Sequence, residues 1–188
     1  MTQHPGALIL PFEGKVPDIH ESAFIAPGAR IIGDVTIGPD ASIWYNCVLR
    51  GDINRIVVGA RSNVQDGTVI HVEGPRPDTE GNPTLIGDDC LIGHMATVHG
   101  CVLDNHAFVG MDAVVMDGTR IAPHGMLAAG ALLAPGKTIP EREIWAGHPA
   151  EMMRELSIAE AEKIAFQSQR YVELARRHKA ALHGQTEA

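Results

Sequence analysis

One aliphatic side chain recurs at every sixth position along most of this chain. It stands at Ile19, Ile25, Ile31, Ile37, Ile43 and Leu49, resumes at Val58, Val64 and Ile70, and returns at Ile86, Ile92 and Val98. After a slip of one residue it runs through Leu103, Val109, Val115, Ile121, Leu127, Leu133 and Ile139 to Trp145. Glycine follows it directly in Ile37-Gly38, Val58-Gly59, Ile86-Gly87, Ile92-Gly93 and Val109-Gly110, and small residues recur four positions on, at Ala29, Val35, Ala41, Ala107 and Ala113. An amphipathic helix repeats about every 3.6 residues and a half-buried strand about every two, so this period fits neither alone. It fits a short strand plus a turn, with three such units closing one coil of a triangular prism. The predicted class is mainly β: a parallel β-helix with its aliphatics stacked inward, coils about 4.8 Å apart.

The interruptions are informative. Extra residues separate Leu49 from Val58, and a longer insert separates Ile70 from Ile86. The latter contains the polar, Pro- and Gly-rich stretch 73–83, which reads as a loop leaving the prism. The segment before Ile19 reads as a lead-in strand or an end cap. The repeat stops after Pro149. Ser157-Ile158-Ala159-Glu160 reads as a capping box opening a long helix, and residues 183–188 are expected to fray. The expected organisation is a β-helix domain over 1–150 and a C-terminal part, 151–188, whose helix packs on the prism.

Coil arithmetic places the polar residues. Three hexads make a coil, so Val98 stacks on Ile70 and Ile70 on Leu49. The residues after these, Arg50, His71 and His99, form one outward column. His94, two after Ile92, stands over Asp66, two after Val64, in a second column about a third of a turn away. The two columns share a metal only across a subunit interface. A homotrimer supplies this: His71 and His99 from one protomer, His94 from the next, with Arg50 facing the neighbour's Asp66 as an interfacial salt bridge. Three neutral imidazoles leaving a water position open is the catalytic zinc pattern, in which the water's pKa falls to about 7. His4, His20, His106, His124, His148, His178 and His183 have no such partners and read as ordinary surface or core residues.

Bulk composition narrows the classes. The chain has 188 residues, enough for one domain with a real core, and a formal net charge of −8. Lys and Arg do not cluster before Arg176-Arg177, which argues against nucleic acid or an anionic membrane as the main partner. No apolar run approaches the roughly 20 residues of a membrane span. Met1 to Leu10 lacks a basic region ahead of its apolar residues, so no signal peptide is read and the cytoplasm is the expected compartment. Cys47, Cys90 and Cys101 read as free thiols, Cys101 buried. At least one of Trp44 and Tyr45 is expected at the trimer interface, and Tyr171 is expected to pack its helix rather than reach the site.

The motifs Arg50-Gly51-Asp52, Asn63-Val64-Gln65-Asp66-Gly67, His71 and Gly93-His94-x4-His99-Gly100 resemble those of the γ-class carbonic anhydrase family. Trp145-Ala146-Gly147-His148-Pro149-Ala150 resembles the prism terminus of its compact bacterial members. The similarity runs from about Ile19 to Tyr171. It implies a left-handed coil, a trimer with one ion per subunit interface, and zinc as the metal, with iron or cobalt as alternatives. It supports His71, His94 and His99 as ligands and the Arg50–Asp66 pair, and it places Gln65 and Asn63 beside the reacting water or substrate. The implied reaction is reversible hydration of CO2 to bicarbonate by metal-bound hydroxide. Where the archaeal archetype carries a proton-accepting Glu after its Arg-x-Asp motif, this chain has Ile53; Glu73, with Asp78 and Glu80, is the approximate substitute. The competing readings are a metal-dependent acyl-CoA thioesterase, a metal-free acyltransferase and a non-catalytic scaffold on the same fold.

Overall fold

The structure is a computed structural model and describes residues 4–184. The hexads build a parallel β-solenoid of three faces. On one face Leu8–Leu10 leads into the first half of Arg30–Ile37 and of Val48–Val58, then Val69–His71, Thr97–His99, Val114–Val115 and Leu132–Leu133. The second face stacks Asp18–Ile19, the second halves of the same two long strands, Thr84–Ile86, Val102–Leu103, Arg120–Ile121 and Thr138–Ile139. The third runs from Phe24–Ile25 through Ser42–Ile43, Asn63–Val64, Leu91–Ile92, Phe108–Val109 and Met126–Leu127 to Glu143–Gly147. The first two faces are continuous because the two long strands bend round a corner without breaking their pairing.

The repeat dictates this geometry. The sixth-position aliphatics from Ile25 to Ile139 are all buried and form one continuous core. The position two before the aliphatic faces the tight inside of a corner in most hexads and often takes a small residue. It holds Ala23, Ala29, Ala41, Ala96, Ala107, Ala113 and Ala131, and also Cys47, Cys90 and Cys101. The three cysteines are therefore filling the small-residue column. Burial pushes the Cys47 and Cys90 thiols up to about 12 and the Cys101 thiol up as well. The position three before the aliphatic turns the chain with a positive φ at Asp40, Asn46, Arg61, Asp89, Met95, His106, Asp112, His124 and Arg142. Asn and Asp tolerate this conformation best.

Both interruptions lie on one side and pack together. The extra residues after Leu49 stay in strand, with a register shift opposite Gly33–Val35. A Cβ on Gly51 would stand 2.5 Å from the Asp34 carbonyl oxygen, so this close strand approach excludes a side chain there. The 73–83 excursion folds back as a narrow tongue: Glu73 and Asn82 exchange backbone hydrogen bonds, as do Arg76 and Thr79. Asn54, in the inserted segment, donates to the carbonyls of Glu73 and Glu80.

At the far end, Ala150–Glu155 pairs antiparallel with Glu143–Gly147, a strand absent from the hexad reading because it reverses direction and carries no sixth-position aliphatic. The helix Ile158–Gly184 follows. Ser157 and Glu160 make the reciprocal capping box: Glu160 N–H donates to Ser157 Oγ and Ser157 N–H to Glu160 Oε2. Residues 1–3 and 185–188 lie outside the described residues, as does the side chain of His183, so the expected fraying over 183–188 falls there except at 183–184, where the helix continues to Gly184, and the first residues of the leader reading fall there too. The helix covers Phe24 and Trp44 with Tyr171, Leu174, Ala175 and Leu182. Tyr171 meets Trp44 edge-on, with ring centroids 5.7 Å apart, which gives it the packing role expected of it. Trp44 is buried within its own chain, and Tyr45 is engaged there as well, its hydroxyl hydrogen-bonding His178 Nδ1 at 2.8 Å. Trp44 is thus used in packing the helix, and Tyr45 stays half-buried beside it.

Candidate metal centre

The predicted column forms. His99 pairs with His71 in register on adjacent coils, and Val98 lies over Ile70, which lies over Leu49. His71 Nδ1 and His99 Nε2 face each other at 3.0 Å, with the rings inclined at 61°. Their outer nitrogens are held by carboxylates. His71 Nε2 donates to Asp52 Oδ1 at 2.9 Å, and His99 Nδ1 donates to Asp117 Oδ1 at 2.5 Å. Arg50 lies on Asp52 from the other side. Burial alone would push the Asp52 carboxyl up, but the hydrogen bonds from His71 and Arg50 outweigh it and hold that carboxyl below its ordinary range.

The backbones of the two histidines are tied together as well. Thr84, fully buried where the tongue rejoins the prism, donates its hydroxyl to the His71 carbonyl at 2.6 Å and accepts the Gly100 N–H at 2.9 Å. This threonine, Asp117 and the contact of Asp52 with His71 were not in the sequence reading. Carried one coil further, the column count reaches Met116, which follows Val115; Asp117 is one residue beyond it.

The donor chemistry fits a cation. Each ring gives its outer proton to a carboxylate, so two neutral rings would turn lone pairs toward one another across the gap. That gap is stable only with a proton or a cation in it. Two imidazole nitrogens bound to one tetrahedral zinc ion at 2.0–2.1 Å each stand about 3.3 Å apart, close to the separation seen here. A carboxylate on the far nitrogen of each ring is the usual support of a metal-binding histidine.

His94 stands elsewhere. Its strand Leu91–Ile92 lies over Asn63–Val64, and His94 Nδ1 contacts Asp66 Oδ2 at 2.8 Å, with both side chains about two-fifths exposed. This is the predicted second column, and it borders the opposite edge of the face that carries His71 and His99. Among the described residues no three His, Cys, Asp or Glu side chains gather into a metal cluster within one chain. Within the chain Arg50 lies on Asp52 and Asp66 on His94, and Arg50 and Asp66 are not paired with each other. Between the two edges, Val48, Val69, Thr97, Val114 and Leu132 point outward, and Val69, Met95 and Met111 are exposed.

Gln65 and Asn63 form a buried pair, with Gln65 Nε2 donating to Asn63 Oδ1 at 3.0 Å. Asn63 has no exposed surface, so it acts on anything outside only by orienting the Gln65 amide. Glu73 is committed within its tongue, its carboxylate held by Arg76 and Asn82. Ile53 packs its methyl against Gly74 at the base of the same tongue. His20 hydrogen-bonds Ser22, and His106 stacks on His124 at 4.6 Å; neither makes a site with a carboxylate and a second imidazole like that at His71.

Residues 17–51 match the repeat family described as Bacterial transferase hexapeptide (six repeats). The chain is 45% identical over 164 residues to "Gamma carbonic anhydrase 2, mitochondrial" of Arabidopsis thaliana, covering 87% of this chain and 59% of that protein. It is 41% identical over 156 residues to the Methanocaldococcus jannaschii protein named "Probable carbonic anhydrase", covering 83% of this chain and 94% of that one. The chain belongs to the γ-class carbonic anhydrase family. It spans less than two thirds of the plant relative's length. A solved hexapeptide transferase family protein from Anaplasma phagocytophilum superposes with a TM-score of 0.84 at 43% identity, covering 90% of this chain and 96% of that one. This family membership agrees with the parallel hexapeptide solenoid and with the motifs in which His71, His94 and His99 stand.

Proposed function

We propose that this protein is a metal-dependent carbonic anhydrase, hydrating CO2 reversibly to bicarbonate at a centre shared between subunits of a homotrimer. The observation that carries the reading is the inward pair of imidazole nitrogens at 3.0 Å, each ring fixed from outside by a carboxylate. His71 and His99 of one protomer and His94 of the next would hold zinc, with iron or cobalt as alternatives. The outward lane of Val48, Val69, Val114 and Leu132, flanked by Met95 and Met111, supports a subunit contact along the face between the two columns. In that assembly Arg50 of one protomer pairs with the neighbour's Asp66, and the coil is left-handed.

A zinc ion held there supplies a Lewis acid and an acidified water at neutral pH. The chain does the rest. Gln65, steadied by Asn63, sits one residue before the Asp66 that holds His94. It therefore comes from the protomer that brings His94, where its amide orients the attacking water or a bicarbonate oxygen. Asp52 and Asp117 keep the other two imidazoles turned inward. Ile53 carries no proton, so release falls to water and to Glu73, which gives up its Arg76 and Asn82 contacts when it accepts one. Proton export is then the slow step, and the hydration rate rises with buffer concentration.

The test is stopped-flow CO2 hydration by protein loaded with zinc, or anaerobically with iron. A buffer-dependent rate that disappears in His71→Ala supports the proposal. A metal-replete trimer with no rate above buffer at neutral and mildly alkaline pH defeats it. A panel of acyl-CoA esters, assayed on the same protein, distinguishes the thioesterase reading. The acyltransferase reading uses a single imidazole as base and no metal, whereas here two imidazole nitrogens converge at 3.0 Å. The proposed setting is the cytoplasm. Among the described residues no helix is long and apolar enough to cross a membrane.

A further inference from the structure

We propose that Asp117 is a positioning residue for the metal centre: it fixes the tautomer and the direction of His99 so that Nε2 presents its lone pair to the ion. The inference rests on the metal reading above and assigns a residue outside the quoted motifs. Asp117 follows the strand Val114–Val115, which pairs with Thr97–His99 one coil on. From there its carboxylate reaches back to His99 Nδ1 at 2.5 Å. No other hydrogen bond holds that nitrogen among the described residues, and the His99 side chain is 30% exposed. Without Asp117, water competes for Nδ1, the ring turns on its bond, and either tautomer is open to it.

The arrangement is built into the fold at three points. Asp117 approaches His99 through space that Gly100 leaves clear, since a Cβ on Gly100 would lie 2.2 Å from Asp117 Oδ1. The backbone beneath is clamped twice, by Gly118 N–H on the Gly100 carbonyl and by Gly136 N–H on the Asp117 carbonyl, at 2.8 Å and 3.0 Å. Asp52 performs the matching task for His71 from the opposite end. The two imidazoles are thus gripped between carboxylates above and below, along a single edge of the prism.

The experiment compares wild type, Asp117→Ala, Asp117→Asn and, as a control, Asp104→Ala, which removes an ion pair with Arg120 on the next face. Zinc affinity is measured by chelator competition, and the His99 tautomer by nitrogen-15 shifts of the metal-free protein. Asp117→Ala is expected to lose about 10- to 100-fold in zinc affinity, as removal of a carboxylate behind a ligating histidine does, and to lose the Nδ1–H form. Asp117→Asn, whose Oδ1 still accepts from Nδ1–H, should keep that tautomer and recover part of the affinity; Asp104→Ala should match wild type. Wild-type affinity in Asp117→Ala, or equal losses in the Ala and Asn variants with no change of tautomer, overturns the assignment while leaving the metal centre standing. A wild-type protein that takes up no zinc overturns both.

Discussion

Asp117 occupies the space that a side chain at Gly100 would need. The Gly100 φ of +52° adds a second reason for glycine there, because other residues adopt that conformation at a cost. Gly100→Ala is therefore expected to expel the Asp117 carboxylate, lowering both the melting temperature and zinc affinity. In the double variant Gly100→Ala/Asp117→Ala the clash with the carboxylate is gone, while the 3.1 Å approach to Asn82 Cβ and the positive φ remain. Part of the melting temperature should return and the affinity should not, which a thermal melt and chelator competition on the three variants will show.

The C-terminal helix should answer to acid at its first turn. The Arg154 guanidinium, with the Ser157 N–H and hydroxyl, holds the Glu160 carboxyl down at about 2. A depressed carboxyl contributes stability that is fully present above its unfolded value, near 4.5, and is lost as pH falls through its folded value. Protection factors of the Glu160 to Lys163 amides, referred to the intrinsic exchange rate at each pH, should hold down to about pH 4.5 and fall progressively toward pH 2. Glu160→Gln should flatten this dependence, whereas an unchanged profile in that variant would assign the effect elsewhere.

The three thiols should be inert in the folded protein. They fill the small-residue column, and burial keeps them protonated far above neutral pH. A thiol reagent should modify none of them until denaturant is added. Cys101→Ala should fold normally, because alanine fills the equivalent position at Ala29, Ala96, Ala107 and Ala113. Modification of native protein at a rate like that of a free thiol would show that the column opens.

Ile121 is fully buried, four hexads beyond the Val98 that precedes His99. Ile121→Ala should cost about 2–5 kcal/mol in denaturant unfolding, as large-to-small changes in a packed core do. Zinc affinity of the folded fraction should not move. A variant that unfolds at the wild-type midpoint would mean the aliphatic stack is less tightly packed than the burial of its members indicates.

The fold was legible because a six-residue period has one economical solution, and residues as far apart as Val98 and Ile70 could be placed in contact by counting. The same count put His99 over His71 and His94 over Asp66, since a β-solenoid converts sequence spacing into vertical stacking. What escaped lies where counting does not reach. Asp52 meets His71 through inserted residues that break the period. Asp117 meets His99 from a position one further along the repeat, after the slip at Leu103. The burial of Trp44 depends on where a helix outside the repeat comes to rest. Ala150–Glu155 was missed because an antiparallel return carries no hexad mark. Glu73 was singled out for its acidity, but its holders, Arg76 and Asn82, are fixed by the fold of the tongue rather than by any periodicity.

The central claim is that the centre is divided between protomers, and subunit mixing tests it most directly. His94→Ala chains and His71→Ala/His99→Ala chains should each form trimers that bind little zinc. Unfolded together in equal amounts and refolded, they should regain about a quarter of the wild-type zinc and hydration rate, because random assembly of a cyclic trimer pairs the intact halves at about one interface in four. No recovery from well-formed mixed trimers, or full zinc occupancy in a monomer, would contradict the account.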